Sequence, residues 1–241
     1  MAAKSLTQPV RRPVTQPLID LRQAGVSFPG QPSAALSPLD LSVGYGELVT
    51  LGGPAGAGKS VLLSVVGLLR KPTTGSYFLN GADTATLPDR DRTALRGRLI
   101  GIVFQRPQLL PARSALDNVM LPVLYGGMSK QERVQAATSA LARVGLRERL
   151  HEVVSELPAN ERQRIAIARA IVTDPSLLLC DDPTASLDDG AAEQIIALLV
   201  SLHKEGRTVF VATRDQLAAA HSSRRIGVGA NSQASPTDSD L

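Results

Sequence analysis

The sequence predicts an α/β fold, on three observations. A short apolar strand at residues 48–51 runs directly into a glycine-rich loop, and a helix follows at about 61–70. Three further apolar runs suit buried parallel strands, at residues 99–104, 177–180 and 208–212. From residue 107 to about 174 there is little strand signal, which predicts a mainly helical insertion within the α/β core.

The helices of this plan have recognisable ends. Ser129 followed by Glu132 forms a capping box, which opens a helix that Gly145 closes. A second helix is expected at about 161–172 inside the insertion. A third, amphipathic helix is expected at 190–205, where Gly206 ends it.

Composition excludes several classes of protein. The 241 residues carry a net charge of +4 and are 43% hydrophobic but only 3% aromatic. No apolar run approaches the roughly 20 residues that cross a bilayer. The arginines alternate with acids and few aromatics are available to stack on bases, so nucleic-acid binding is not expected. The single cysteine, Cys180, excludes an internal disulfide and suits a buried core position.

The chain is expected to form one ordered domain at residues 18–226. The first 17 residues are rich in Pro and Gln and lack the apolar core of a secretory signal. Residues 227–241 are rich in Ser, Ala and Asp. Both ends are therefore predicted to be disordered tails.

The glycine-rich loop matches the pattern G-x-x-x-x-G-K-[ST]. It reads Gly53, Pro54, Ala55, Gly56, Ala57, Gly58, Lys59, Ser60, with Val61 opening the predicted helix. Glycines let successive backbone N–H groups turn inward around phosphate oxygens, and the helix adds its positive dipole end. Lys59 is expected to reach the β- and γ-phosphates and the Ser60 hydroxyl to hold Mg²⁺. The loop therefore predicts a nucleoside triphosphate site.

A second strand ends in carboxylates. Residues 177–180 are apolar, and Asp181 and Asp182 follow them. A carboxylate at the carboxyl end of a buried strand can hold Mg²⁺ through water. Asp181 is therefore predicted to be a second magnesium ligand.

Three further segments are typical of one protein family. They read Leu109-Leu110-Pro111-Ala112-Arg113-Ser114-Ala115-Leu116-Asp117-Asn118-Val119, Leu121-Pro122-Val123-Leu124-Tyr125 and Arg164-Ile165-Ala166-Ile167-Ala168-Arg169-Ala170. From about residue 18 to residue 226 the chain resembles the ATP-binding subunits of ABC transporters. The resemblance is closest to the branch that serves lipoprotein-releasing and macrolide-exporting systems with FtsX-type permeases.

The resemblance implies a P-loop NTPase core of the RecA-like type, with an N-terminal antiparallel β subdomain and an inserted helical subdomain at about 107–174. It implies ATP and Mg²⁺ as cofactors. Gln105 then becomes the Q-loop glutamine, a contact of Mg²⁺ and water that also couples to the permease. Phe28 becomes the candidate aromatic that stacks on adenine, and Asp188 lies in the D-loop.

The resemblance also implies partners and a location. Two nucleotide-binding subunits would pair head to tail around ATP, as a homodimer or a heterodimer. They would work on an integral membrane permease of the FtsX/MacB kind, at the cytoplasmic face of the cell membrane. The chain would attach there peripherally, through the helical insertion around residues 105–124.

Three positions depart from the family pattern. The signature Leu-Ser-Gly-Gly-Gln/Glu is replaced by Leu157, Pro158, Ala159, Asn160, Glu161. Proline supplies neither a hydroxyl nor an N–H. Asp182 stands in place of the catalytic glutamate and is one methylene shorter. Arg214 stands in place of the switch histidine and has no hydrogen-bond acceptor. Together these changes favour intact ATP binding with weakened hydrolysis.

Four functions stay open from the residues. The first is the ATP-driven subunit of a transporter. The second is a regulatory or structural subunit that binds ATP and barely hydrolyses it. The third is a soluble ABC protein of translation or DNA repair, although this chain lacks the paired nucleotide domains or long coiled coil of those types. The fourth is an unrelated P-loop kinase or GTPase, which Gln105 and residues 164–170 argue against.

Overall fold

Two sheets form the frame of the molecule, in a computed structural model that describes residues 16–30, 33–125, 127–213 and 216–229. The strands in chain order are β1 (Ile19–Val26), β2 (Leu36–Val43), β3 (Leu48–Gly52), β4 (Thr74–Leu79), β5 (Ala82–Asp83), β6 (Ile100–Val103), β7 (Leu177–Asp181), β8 (Thr208–Ala212) and β9 (Arg224–Gly227). An antiparallel sheet has the order β2-β1-β4-β5, and a parallel sheet has the order β6-β7-β8-β3-β9. The predicted α/β class, with an antiparallel and a parallel sheet, is confirmed.

Seven α-helices accompany the sheets in the part of the chain that the structure describes. They are α1 (Lys59–Val66), α2 (Asp89–Leu99), α3 (Ala115–Met120), α4 (Lys130–Arg143), α5 (Ala159–Ile171), α6 (Asp189–Lys204) and α7 (Gln216–Ala220). Short 3₁₀ turns lie at Leu121–Val123, Arg147–Arg149 and Val154–Glu156. No helix among the described residues combines the length and apolar character needed to cross a membrane.

The central strands of the parallel sheet are buried, as their apolar sequences require. Leu177, Leu178 and Cys180 of β7 are fully buried, and the residues of β8 are buried throughout. β7 pairs with β8 and β6 in parallel register. Because parallel strands end at the same edge, the carboxyl ends of β3, β7 and β8 lie together.

The stretch between β6 and β7 contains α3, α4 and α5. The capping box is present at α4: Glu132 N–H donates to Ser129 Oγ at 3.2 Å, and Ser129 N–H donates to Glu132 Oε2 at 2.7 Å. α5 begins at Ala159, two residues before the expected start. Pro158 occupies its N-cap position, where the missing N–H costs no helical bond.

Two expected boundaries were wrong. The helix expected at 61–70 ends at Val66, because Leu68 takes a left-handed backbone with φ of 55°. The disordered tail was expected to start at Gly227, but residues 227 and 228 are part of the ordered fold. Gly227 closes β9, and Val228 is buried and donates its N–H to Gly52 O at 3.0 Å. Residues 1–15 and 230–241 of the two predicted tails lie outside the described residues.

Candidate nucleotide-binding site

The loop at residues 53–58 connects β3 to α1 and depends on its glycines. Gly53 has φ of 135°, and a Cβ there would lie 2.4 Å from Val228 O. Gly58 has φ of 94° and precedes the first turn of α1, and its Cβ would lie 2.6 Å from Ala35 O. Side chains at either position would meet both backbone strain and a carbonyl oxygen. The loop is thus built tightly against neighbouring backbone, with the positive end of α1 at its mouth.

Lys59 folds back over this loop. Its ammonium Nζ donates to Gly53 O at 2.7 Å and to Pro54 O at 2.9 Å. The two carbonyls hold the positive charge at the rim of the cavity that the loop borders. An anion entering the cavity would find this charge already placed.

The loop encloses one side of a cavity of about 500 Å³. The cavity is lined by Ser33, Ala34, Ala35, Ala55, Gly56, Ala57, Gly58, Lys59, Ser60, Val61, Gln105, Asp181, Asp182 and Ala212. The sequence motifs identified the loop and Asp181, and the family resemblance identified Gln105 and Asp182. They did not identify Ser33, Ala34, Ala35 or Ala212, because small residues far away in the chain carry no motif.

Ser60 and Asp181 meet across the cavity. Ser60 Oγ donates to Asp181 Oδ1 at 3.1 Å, which joins the start of α1 to the end of β7. Burial raises the pKa of Asp181, and the neighbouring Asp182 also raises it, while the Ser60 hydrogen bond and Lys59 act in the opposite direction. A hydroxyl and a carboxylate side by side are the hard oxygen donors that Mg²⁺ prefers.

Asp182 sits at the same edge in a constrained backbone. Its φ is 44°, and its N–H donates to Ala212 O at 2.7 Å. Its carboxylate oxygen Oδ1 accepts from Thr213 Oγ1 at 3.1 Å. The sequence reasoning missed Thr213, whose only signal is that it follows a buried strand that ends at the same sheet edge.

Gln105 completes the group. It is exposed, lies two residues beyond β6 and lines the cavity. The structure therefore brings together Gln105, Ser60 and the adjacent Asp181 and Asp182 from three separate stretches of chain.

The other predicted site residues lie away from this cavity. Phe28 is half-buried against the core of the antiparallel sheet, and the Arg70 guanidinium lies 4.6 Å from its ring centroid. Asp188 caps α6 by accepting from Ala191 N–H at 2.8 Å. Neither Phe28 nor Asp188 is one of the described residues that line the cavity.

The signature-like residues form the start of α5. Leu157 is buried, and its carbonyl accepts from Arg162 Nη1 at 2.9 Å. Pro158 makes no side-chain cap bond, and Ala159 and Asn160 form the first turn. Glu161 pairs with Arg149 at 3.4 Å. Arg214, the remaining predicted residue, lies outside the described residues.

Comparison with solved structures supports the same architecture. The dimeric ATP-binding cassette MJ0796, in a post-hydrolysis state bound to ADP and Pi, superposes with a TM-score of 0.80 at 34% identity, covering 88% of this chain and 94% of that one. The cbiO1 protein of Clostridium perfringens, part of the ABC transporter complex cbiONQ, gives 0.81 at 25% identity, covering 89% and 86%.

Comparison with curated proteins gives relatives of two lengths. The chain is 43% identical over 180 residues to the uncharacterized ABC transporter ATP-binding protein YknY of Bacillus subtilis (strain 168), covering 75% of this chain and 78% of that protein. It is 36% identical over 217 residues to the macrolide export ATP-binding/permease protein MacB of Agrobacterium fabrum, covering 89% of this chain and 34% of MacB. The chain thus spans about a third of the length of that MacB protein.

The model of the family described as ABC transporter matches residues 36–185, which include the phosphate loop, Gln105, the start of α5 and both aspartates. With this match and the relatives above, the chain belongs to the ABC transporter family, as one of its ATP-binding cassettes.

Proposed function

We propose that the chain binds Mg·ATP in the 500 Å³ cavity and couples ATP binding and slow hydrolysis to a membrane permease. The observation that carries this proposal is the convergence of Lys59, Ser60, Asp181, Asp182 and Gln105 on that one cavity. These are the cationic, hydroxyl, carboxylate and amide groups that phosphoryl transfer requires.

In this proposal the backbone N–H groups between Gly53 and Val61, except at Pro54, which has none, surround the phosphates. Lys59 exchanges its two carbonyl partners for the β- and γ-phosphates. Ser60, Gln105 and Asp181 are the residues that would hold Mg²⁺. Their oxygens fit that ion, and Ser60 Oγ already lies 3.1 Å from Asp181 Oδ1. Bound there, Mg²⁺ would neutralise charge that develops on the phosphates.

Phe28 stays our candidate for the adenine platform. One face of its ring is covered by Arg70 at 4.6 Å, so the base would use the other face or displace the guanidinium. Asp188, in the expected D-loop, and residues 157–161, in the expected signature, would act on the nucleotide of a second subunit.

Hydrolysis is proposed to be slow for chemical reasons. The carboxylate of Asp182 ends about 1 Å or more short of where a glutamate would reach, and misplacement on that scale can cost on the order of 10²-fold. Thr213 also holds one of its oxygens. Arg214, which stands in place of the switch histidine, carries a positive charge but cannot accept a hydrogen bond. These residues equally favour the second candidate function, that of a regulatory or structural subunit that binds ATP and barely hydrolyses it.

The partners follow from the relatives. The relative MacB is named as an ATP-binding/permease protein, and the structure of the cassette MJ0796 is dimeric. We infer a permease of the FtsX/MacB kind and a second nucleotide-binding subunit, identical or different, with the chain attached peripherally at the cytoplasmic face of the membrane. The helical insertion presents exposed apolar side chains that suit such a contact, at Leu110, Leu124, Tyr125 and Met128.

Calorimetric titration of Mg·ATP into the purified chain tests the proposal. Lys59→Ala should abolish measurable binding, because it removes the cation at the loop. Lys71→Ala is the matched control, since Lys71 is exposed and lies beyond α1. Equal ATP affinity in wild type and Lys59→Ala would contradict the phosphate-site assignment. Phosphate release by the complex with its permease then separates slow turnover from none.

A further inference from the structure

The segment from Phe104 to Arg113, which carries Gln105, has no sheet or helix of its own. It leaves β6 at Val103 and reaches α3 only at Ala115. Gln108 within it has a left-handed backbone, with φ of 50°. Such a segment needs side chains from elsewhere to fix its course.

Arg169, on α5, supplies two of these contacts. Its Nη1 donates to Gln108 O at 2.7 Å, and its Nη2 donates to Pro107 O at 2.7 Å. The planar guanidinium thus holds two successive carbonyls at once, which a lysine ammonium cannot do with the same geometry. Burial lowers the pKa of Arg169, which reflects how far the group is withdrawn from water.

Asn118, on α3, supplies two more contacts further along the segment. It is fully buried, and its Oδ1 accepts from Leu110 N–H at 2.7 Å while its Nδ2 donates to Leu110 O at 3.1 Å. Gln105 therefore lies between the end of β6 and a stretch of chain whose backbone is held by side chains at residues 107, 108 and 110. The Arg169 contacts are the nearest of these to Gln105.

The helix that bears Arg169 is firmly embedded. Ile165, Ala166, Ile167 and Ala168 are fully buried. The signature-like residues form its first turn, and Arg169 lies ten residues after Ala159, or about 15 Å along the axis. One rigid helix thus bears the signature-like turn at one end and holds the Gln105 segment near the other.

We propose that Arg169 is a positioning residue for Gln105: it fixes the Gln105 segment to α5, so that Gln105 and the signature-like turn move as one unit. The proposal rests on the proposed function, since that function gives Gln105 and the turn their roles. Arg169 itself lies outside the residues that line the cavity in the described part of the chain.

A spin label on the segment measures this directly. Arg106 is exposed and adjoins Gln105, whereas the native Cys180 is fully buried, so Arg106→Cys takes a nitroxide selectively. In Arg169→Gln, which cannot hold both carbonyls, the label's rotational correlation time should shorten by about twofold or more as the segment gains nanosecond motion. Arg164→Gln is the matched control: Arg164 is on the same helix but contacts Val144 O and Gln194. It should leave the label unchanged.

The same variants carry a kinetic readout. Arg169→Gln should lower kcat for ATP hydrolysis by about tenfold with the ATP affinity unchanged, because the phosphate loop is intact and only Gln105 is misplaced. Arg169→Lys should give intermediate values of label mobility and kcat, and it decides the matter if Arg169→Gln does not fold. Unchanged label mobility in the folded Arg169 variants overturns the proposal. Loss of ATP binding in the wild type would instead overturn the proposed function, because the label experiment needs no nucleotide.

Discussion

Thr213 Oγ1 lies 3.1 Å from Asp182 Oδ1, so a hydroxyl at the end of β8 holds the carboxylate that follows β7. The bond lies between the two strands at their shared edge, and Thr213 itself is buried. A short carboxylate fixed at one oxygen keeps the other oxygen in a defined direction. This relationship gives Thr213 a place in the proposed chemistry.

Thr213→Val should therefore lower ATP turnover by about tenfold while leaving the ATP affinity unchanged, because the variant keeps the shape of the side chain but loses its donor. Steady-state phosphate release, with affinity from calorimetry, measures both quantities. Thr213→Ser keeps the hydroxyl and should retain most of the wild-type rate. If valine and serine at this position give the same rate, the hydrogen bond has no part in turnover.

Tyr77 links the antiparallel sheet to the nucleotide helix. It is fully buried on β4, and its hydroxyl donates to Val66 O at the end of α1, at 2.9 Å. Burial raises the pKa of the Tyr77 hydroxyl, which keeps it protonated as a donor. Tyr77→Phe leaves that carbonyl without this donor, so we expect the free energy of unfolding to fall by about 1–3 kcal/mol.

Denaturant unfolding of the Tyr77→Phe variant checks this. Tyr125→Phe is the control, because Tyr125 is 95% exposed and the substitution should change stability little. Equal losses at the two positions would show that the buried bond does not stabilise the fold.

Asp181 should make stability depend on pH without any ligand. Its pKa is raised, chiefly by burial, so the folded protein keeps a proton at pH values where the unfolded chain has already lost it. The Asp181 contribution to the free energy of unfolding is therefore largest below the ordinary carboxyl pKa and falls as pH rises through the raised folded pKa. Asp181→Asn cannot ionise and should lack this decline.

Denaturant unfolding of wild type and Asp181→Asn across the acidic range measures the difference. The wild type should lose stability relative to the variant as pH rises through that window. A difference that stays constant, or that grows in favour of the wild type, would contradict the effect of burial on Asp181. Titration of Mg·ATP should show the linked result: affinity in the wild type weakens toward low pH, since a protonated carboxyl is a poor magnesium ligand.

The sequence predicted those parts of the fold that local pattern controls. β7 and β8 are buried on both faces, so they read as apolar runs, and α4 has a capping box that the structure reproduces. β9 gave no such signal. Two of its four residues are arginines, and it gains its place from pairing with β3 and from burial of Ile226 alone.

The site divides in the same way. The loop at residues 53–60 and Asp181 could be predicted from local motifs, because adjacent residues determine the loop's backbone geometry and the end of the strand. Thr213 and Ser33 come to the site only through the tertiary fold, so no motif in the neighbouring residues marks them. The contact of Arg70 with the Phe28 ring also depends on the tertiary fold, and no sequence spacing predicts it.

The last prediction concerns the rate of hydrolysis. Asp182→Glu should raise the ATP turnover of the complex with its permease by about 10- to 100-fold, because the longer side chain brings a carboxylate oxygen to the attacking water. Phosphate release under saturating Mg·ATP measures the gain. ATP affinity should stay unchanged, since the phosphate loop and Lys59, which we propose bind the phosphates, are the same in both proteins.

The gain at residue 182 should be partial. In the proposed function the signature-like turn would act on the nucleotide of a second subunit, and Pro158 gives it neither a hydroxyl nor an N–H. Replacing residues 158–160 by Ser-Gly-Gly in the Asp182→Glu variant should therefore raise the hydrolysis rate further. The same replacement in the wild type should give little gain, because the short Asp182 carboxylate would still limit the rate. Asp189→Glu, an equal lengthening on the exposed first turn of α6, is the control and should change nothing. A wild-type complex that turns over as fast as its Asp182→Glu variant would show that the aspartate already reaches the water.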